Sequence, residues 1–249
     1  MHRSTRLARA QALLAFAALA LAACAATSPI VARQPGLAVA DAALAGGDPA
    51  MALRVARGVL RMHPHSASAL VHEGDALYAL GRLADARNAY RVALAVAPGS
   101  VAARIGSGRC DLASDATAAA ARFAAVLRMR PHDAVVLNDF GIARDLQGRH
   151  AAAQAAYRAA LAARPDMAAA EVNLGLSLAL SGDSRKAIAL LRPLAADPSA
   201  LPRVRADFAA ALVLAGHPHA AARILRTQMP PRTVPAAVAG LQALRTASR

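Results

Sequence analysis

Two His-Pro-His triplets, His63-Pro64-His65 and His217-Pro218-His219, are the most metal-like groups in this 249-residue chain. A structural zinc site needs four donors. Neither triplet has an HExxH pattern or a carboxylate cluster beside it, and each falls where a turn is expected. Gly106-Ser107-Gly108 lacks the strand and the spacing of a nucleophile elbow, and no glycine-rich phosphate loop is present. Cys110 has no CxxC partner and reads as a small packing residue. These groups do not assemble a reaction. The expectation is a protein that is not an enzyme, with no cofactor and no metal.

What the chain repeats is more informative than what it could catalyse. Ala52, Ala86, Ala119, Ala153, Ala187 and Ala221 recur at intervals of 34, 33, 34, 34 and 34 residues. A glycine precedes five of these alanines by five positions (Gly47, Gly81, Gly148, Gly182, Gly216), with Asp115 substituting once, at four. Four residues after the alanine comes a generally bulkier side chain: Ala56, Tyr90, Phe123, Tyr157, Leu191, Leu225. Pro64, Pro98, Pro131, Pro165 and Pro198 close all units but the last. Glycine supplies the left-handed cap that ends a first helix. Alanine lets the second helix lie close, the larger residue one turn on fills the gap between units, and proline stops the ladder. A further small residue marks each first helix: Ala40, Gly74, Gly108, Gly141, Gly175, Ala209.

These columns resemble the tetratricopeptide repeat (TPR), a helix-turn-helix unit of about 34 residues. The resemblance implies an all-α fold, a right-handed superhelical solenoid of about six units at 33–66, 67–100, 101–133, 134–167, 168–201 and 202–231, together the array 33–231. Segment 232–249 is expected to be a capping helix with a frayed end, Val234, Val238, Leu241 and Leu244 facing the last repeat. The third unit departs from the pattern. It is one residue short, lacks the turn glycine, and carries Asp111 where a large apolar residue is expected; Arg144 occupies that column in the next unit. Either the array loosens or kinks there, or those side chains reach water at the solenoid edge; the second is the expectation.

The first residues bear on compartment. Arg3, Arg6 and Arg9 precede an apolar run from Ala10 to Ala23, too short for a comfortable span and ending in small residues, which is the pattern of a secretory signal peptide over 1–23. Leu21-Ala22-Ala23-Cys24 resembles a bacterial lipobox. That resemblance implies lipid attachment at Cys24, residues 24–32 forming the lipidated cysteine and a tether, and the protein exported and held by acyl chains to the outer membrane on its periplasmic face. The alternative is an ordinary signal peptide followed by a chance cysteine. The formal net charge is +14, three units of which sit in the leader. Export removes nucleic acid as a partner. With a single lysine, Lys186, the basicity is mostly arginine and reads partly as genome composition, partly as attraction to anionic surfaces or acidic partners.

Resemblance to TPR proteins also places the sixth position of each first helix in a concave groove. The column reads Ala38, His72, Gly106, Asp139, Asn173, Asp207, with Asn138 beside Asp139 and Asp75 one turn from His72. His72, Asp75, Asn138, Asp139, Asn173 and Asp207 are therefore the candidate partner-binding residues. Amides and carboxylates at this rise can bond the backbone of a captured segment, and the carboxylates would favour a cationic residue on it. The bland alternative is a set of solvated helix faces with no partner.

A narrower likeness runs through 134–216: Leu137-Asn138-Asp139-Phe140-Gly141, then Asn173-Leu174-Gly175-Leu176-Ser177-Leu178-Ala179-Leu180-Ser181-Gly182, then Leu191-Arg192-Pro193-Leu194 and Arg203-Val204-Arg205. This wording is similar to the TadD lipoproteins of tight-adherence (Flp) pilus assembly. What that family implies is an outer-membrane lipoprotein scaffold that binds a protein partner, assisting a secretin of the pilus or type II-like secretion system to assemble or localise. A general periplasmic TPR adaptor, for cell-wall enzymes or outer-membrane protein assembly, is the alternative.

Overall fold

The computed structural model describes residues 35–247, all of whose regular structure is helical. Cys24, the signal peptide 1–23 and the tether lie outside the described residues. Six antiparallel helix pairs follow one another: α1 (Pro35–Ala45) with α2 (Pro49–Met62), α3 (Ala67–Ala79) with α4 (Leu83–Val96), α5 (Val101–Leu112) with α6 (Ala116–Met129), α7 (Ala134–Leu146) with α8 (His150–Ala163), α9 (Ala168–Leu180) with α10 (Ser184–Ala196), and α11 (Pro202–Leu214) with α12 (Pro218–Leu225). After a short 3₁₀ turn at Pro231–Thr233, α13 (Val234–Ala247) packs on α11 and α12. First helices of consecutive pairs touch one another, whereas second helices make no comparable contact. The first helices therefore line the inner face of a solenoid and the second helices its outer face.

Each sequence column has a visible cause. All six alanines of the 34-residue rhythm are completely buried. Gly47, Gly81, Gly148, Gly182 and Gly216 all take positive φ, 70–87°, and no other described residue does. A side chain is strained in that conformation. The aromatic column interlocks with the small one. A Cβ added at Gly74 would come 2.5 Å from the Tyr90 ring, and one at Gly106 would come 2.3 Å from it. Tyr90 thus lies between a glycine of its own unit and a glycine of the next, which is how one side chain joins two repeats. Gly108 against Phe123, Gly141 against Tyr157 and Gly175 against Leu191 repeat the close fit within a unit.

The third unit replaces this scheme with polar ties. No residue of its turn is left-handed; Asp115 instead accepts from the amides of Thr117 (3.0 Å) and Ala118 (2.9 Å) and starts α6. Asp111 does not reach water at the edge. It is buried, its carboxylate held by Arg122 Nε at 2.6 Å and Arg87 Nε at 3.3 Å. Arg87 also donates to the Cys110 carbonyl and the Ser114 hydroxyl, binding the second unit to the third. An aspartate is too short to reach the surface from that column, so the arginines come to it. Arg144, in the same column, is half-buried over the Phe140 ring, 4.6 Å from its centroid, and donates to Gln147. Cys110 packs in the core, and burial pushes its thiol up.

At the C-terminal end Val234 is buried and Val238 and Leu241 pack against the core of the last units. Helix α13 covers the edge that the sixth unit would otherwise expose, as terminal caps of repeat arrays do.

Candidate functional site

The inner-face residues divide into a sealed stretch and an open one. At the N-terminal end His72 on α3 places Nε2 2.9 Å from Asp41 Oδ1 on α1, and Nδ1 2.7 Å from the Ser68 carbonyl. Asp75, one turn on, accepts the Tyr90 hydroxyl at 2.6 Å. Burial raises the Asp75 carboxyl against the lowering pull of Tyr90 and His72. The Tyr90 hydroxyl is driven up as well, by burial and by the Asp75 charge. This tyrosine stays protonated as a donor.

In the middle, Asp139 on α7 is buried and accepts from Arg109 Nε on α5 at 2.7 Å. Burial raises its pKa, and Arg109 and Asn138 oppose the rise. Asn173 Nδ2 on α9 donates to Asn138 Oδ1 on α7 at 2.9 Å, both side chains buried. The Gly106 position of the same column is filled by the Tyr90 ring. Five of the six expected groove residues, His72, Asp75, Asn138, Asp139 and Asn173, thus spend at least one polar atom on a neighbouring helix. All but Asp75, whose bond to Tyr90 stays inside the second unit, act first as ties between units.

Asp207 differs. Its Oδ2 is buried from solvent without a hydrogen-bond partner; the nearest cation, Arg203 Nε, stands 3.6 Å away. Burial raises this carboxyl too, with Arg203 pulling down. The atom lies beside a cavity of about 160 Å³ between α9 and α11, walled by Val172, Asn173, Leu201, Arg203 and Val204. Leu201 is 68% exposed at the cavity rim, an apolar side chain with nothing over it. So the structure brings Asn173 and Asp207 together in one open site and leaves His72 and Asp75 in another, self-satisfied one. Val172, Leu201 and Val204 were missed because sequence reasoning looked for polar donors. Arg109 was missed although it sits three residues after Gly106, one turn along the same face.

The arrangement suits recognition. An apolar slot takes a side chain, a buried carboxylate oxygen takes an N–H or a cation, and an amide can read a backbone. Among the described residues no group of three or more histidine, cysteine or carboxylate side chains gathers around a metal-sized space.

Comparison with known proteins supports the fold. The structure is similar to PilW, described as a widely conserved type IV pilus biogenesis factor, at 20% identity and a TM-score of 0.66, over 77% of this chain and 90% of that one. A tetratricopeptide repeat protein from Parabacteroides merdae gives 13% identity and a TM-score of 0.64 over 85% and 88%. The anaphase-promoting complex hetero-tetramer Cut9-Hcn1 gives 18% and 0.68 over 86% of this chain and 44% of that one. No curated protein matches the sequence. Proteins of this fold are typically non-catalytic scaffolds that bind protein partners. The tetratricopeptide repeat model matches residues 37–110 and 138–200, more than half of the chain, skipping the stretch that holds the divergent turn and α6; the chain belongs to the tetratricopeptide repeat family.

Proposed function

We propose that this chain is a non-enzymatic, lipid-anchored scaffold of the outer membrane that captures a segment of a secretin or another pilus-assembly component on its inner face. The observation that carries the capture is the buried Asp207 oxygen, which accepts no hydrogen bond and meets only the Arg203 charge at 3.6 Å, beside the apolar slot between α9 and α11. A buried acceptor without a donor costs about 1–3 kcal/mol, and a ligand N–H or cation that reaches it recovers that cost. The pilus assignment is supported by the wording of 134–216, which resembles TadD lipoproteins, and by the fold shared with a pilus biogenesis factor. The anchor is supported by Leu21-Ala22-Ala23-Cys24.

The test has two arms. Metabolic labelling with a clickable palmitate marks the wild-type protein, and Cys24→Ser abolishes the label and shifts the protein out of the outer-membrane fraction. Copurification from detergent-solubilised membranes then scores the secretin subunit, which wild type retains and Asp207→Asn with Asn173→Ala loses. Undiminished secretin recovery with the double variant removes the inner face as the site. Recovery of cell-wall enzymes in place of a secretin turns the assignment to the general adaptor.

A further inference from the structure

The outer face of the last two units carries a second recessed site of opposite charge. A cavity of about 520 Å³ opens between the second helices α10 and α12, with α11 as its floor. Phe208 and Leu212 form that floor, each less than a tenth exposed, and Arg192, Arg205 and Arg223 stand around it. Its volume falls within the range of about 300–1,000 Å³ usual for ligand pockets. Adjoining it is a cavity of about 530 Å³ bounded by Arg185, Ile188, Arg192 and His217. Arg192 lines both, so the two form one trough along α10. Neither lining contains a carboxylate.

The arginines are not equivalent. Arg205 is committed: it donates to the carbonyls of Ala195, Asp197 and Pro198 and fixes the loop between α10 and α11. Arg192 and Arg223 are exposed and make no hydrogen bond or ion pair among the described residues, nor does Arg185. The nearby acids accept hydrogen bonds from other groups, although the Arg185 charge also pulls on the Asp183 carboxyl. Asp197 accepts from the Ser199 amide and hydroxyl at 2.7 and 2.6 Å, and Asp183 accepts from Lys186 at 2.6 Å. Arg185 and Arg192 are seven residues apart on one helix, two turns or about 10 Å.

We infer that this trough docks an acidic amphipathic helix of a partner protein, its apolar side chains on Phe208 and Leu212 and its carboxylates on Arg192, Arg223 and Arg185. Charge complementarity selects the sign, because an apolar floor ringed by unpaired guanidinium groups favours carboxylates, which guanidinium binds bidentately. The recess selects a polypeptide over a membrane. A sheet of headgroups meets the rim of such a trough and leaves its floor empty, whereas a helix projects side chains one turn apart into it. The site lies on the face opposite Asp207, so capture on the inner face and docking here do not compete.

The experiment is a ¹⁵N NMR titration of the full-length protein with three probes: a synthetic amphipathic helix bearing leucines flanked by glutamates, the same helix with lysines for glutamates, and phosphatidylglycerol vesicles. The glutamate helix is expected to shift resonances of Ile224, Leu212 and the Arg192 and Arg223 side chains, in a saturable and salt-sensitive way. Arg192→Glu with Arg223→Glu weakens it about tenfold. Arg61→Glu with Arg128→Glu, the same charge change at exposed positions elsewhere, changes it less than about twofold. Equal weakening by the two pairs means bulk charge and overturns the proposal. So does the absence of saturable shifts at these residues, or vesicles shifting them where the helix does not.

Discussion

Units two to four and units five and six share the same fold columns but close their surfaces differently. The first helices α3, α5 and α7 begin on Ser66, Ser100 and Asp133, whose side chains accept from first-turn amides at 3.2–3.3 Å. Helices α9 and α11 begin on Met167 and Leu201, which offer no such cap. In the front units Tyr90 and Tyr157 donate to Asp75 and Asp145, and Asp111 and Asp139 are held by arginines from other helices. In the rear, Leu191 takes the aromatic column, and Pro193 inside α10 cannot donate to the Ala189 carbonyl at the wall of the outer trough. The three recesses described above lie there, while in the front one of about 550 Å³ opens between units three and four, where Gln147 ties Arg144 to Thr117. The difference teaches that rigidity and binding capacity are distributed along the array: the front is tied by satisfied polar groups, and the rear keeps unsatisfied ones.

The largest test of this contrast is steric. Gly106→Ala puts a methyl 2.3 Å from a Tyr90 ring that has Gly74 on its other face and nowhere to move. Overpacking of this kind costs about 1–3 kcal/mol, and with both faces blocked the upper end is expected. Gly240 in α13 is the control, because a Cβ there meets nothing within 4 Å. Gly240→Ala should stabilise by about 0.5–1 kcal/mol through helix propensity. Urea unfolding of both variants reads the two signs. Equal, small effects would show that the rings do not lock the units.

Next comes the divergent third unit. Arg122→Leu removes the 2.6 Å donor to buried Asp111 and leaves Arg87 as its remaining ion-pair partner. A buried acceptor losing a charged donor costs about 1–3 kcal/mol. Asp111→Leu should cost less, since both arginines are nearly half exposed and turn to water. Denaturation midpoints that rank the two variants the other way would mean that the carboxylate contributes more to the fold than its bond to Arg122, with Arg87 sufficing to hold it.

How far the sequence carries the architecture follows from these residues. A repeat needs the same volume at the same place in every unit, so the buried alanines, the left-handed glycines and the turn prolines recur at a period that can be counted. The ties do not recur. Arg109 meets Asp139 thirty residues away, and Arg87 reaches the next unit's turn, pairings that depend on how helices sit side by side. Asp111 was expected at the edge because the arginines that follow it inward are invisible in one dimension. The inner face was partly legible: the polar ladder is there, but most of it is spent on other helices, and its last two rungs, Asn173 and Asp207, border the cavity.

That last rung should respond to pH in two opposed ways. Burial raises Asp207, so its neutral form is favoured in the folded chain. Stability from this group is present below the ordinary aspartate range and is lost as pH rises through the raised value. Capture of a cationic segment needs the charged form and so weakens as pH falls, beginning above the range of an exposed aspartate. Titration of a fluorescent arginine-bearing peptide against wild type and Asp207→Asn separates the two trends. Identical profiles would take Asp207 out of the site.

The smallest effect is the most diagnostic of a division between stability and binding. Leu201 stands at the N-cap of α11 with φ −59° and ψ 147°, before Pro202 at the first helical position. That backbone suits a serine cap, and replacing an incompetent cap by serine contributes about 0.5–1 kcal/mol. Because Leu201 is 68% exposed, little packing is lost. Yet the same side chain forms the apolar rim of the slot beside Asp207. Leu201→Ser should therefore slow amide exchange in α11 while weakening capture of the arginine-bearing peptide by a few-fold. A variant that gains on both counts would mean that Leu201 is an ordinary exposed residue, and that the rear units lack caps for a reason unrelated to binding.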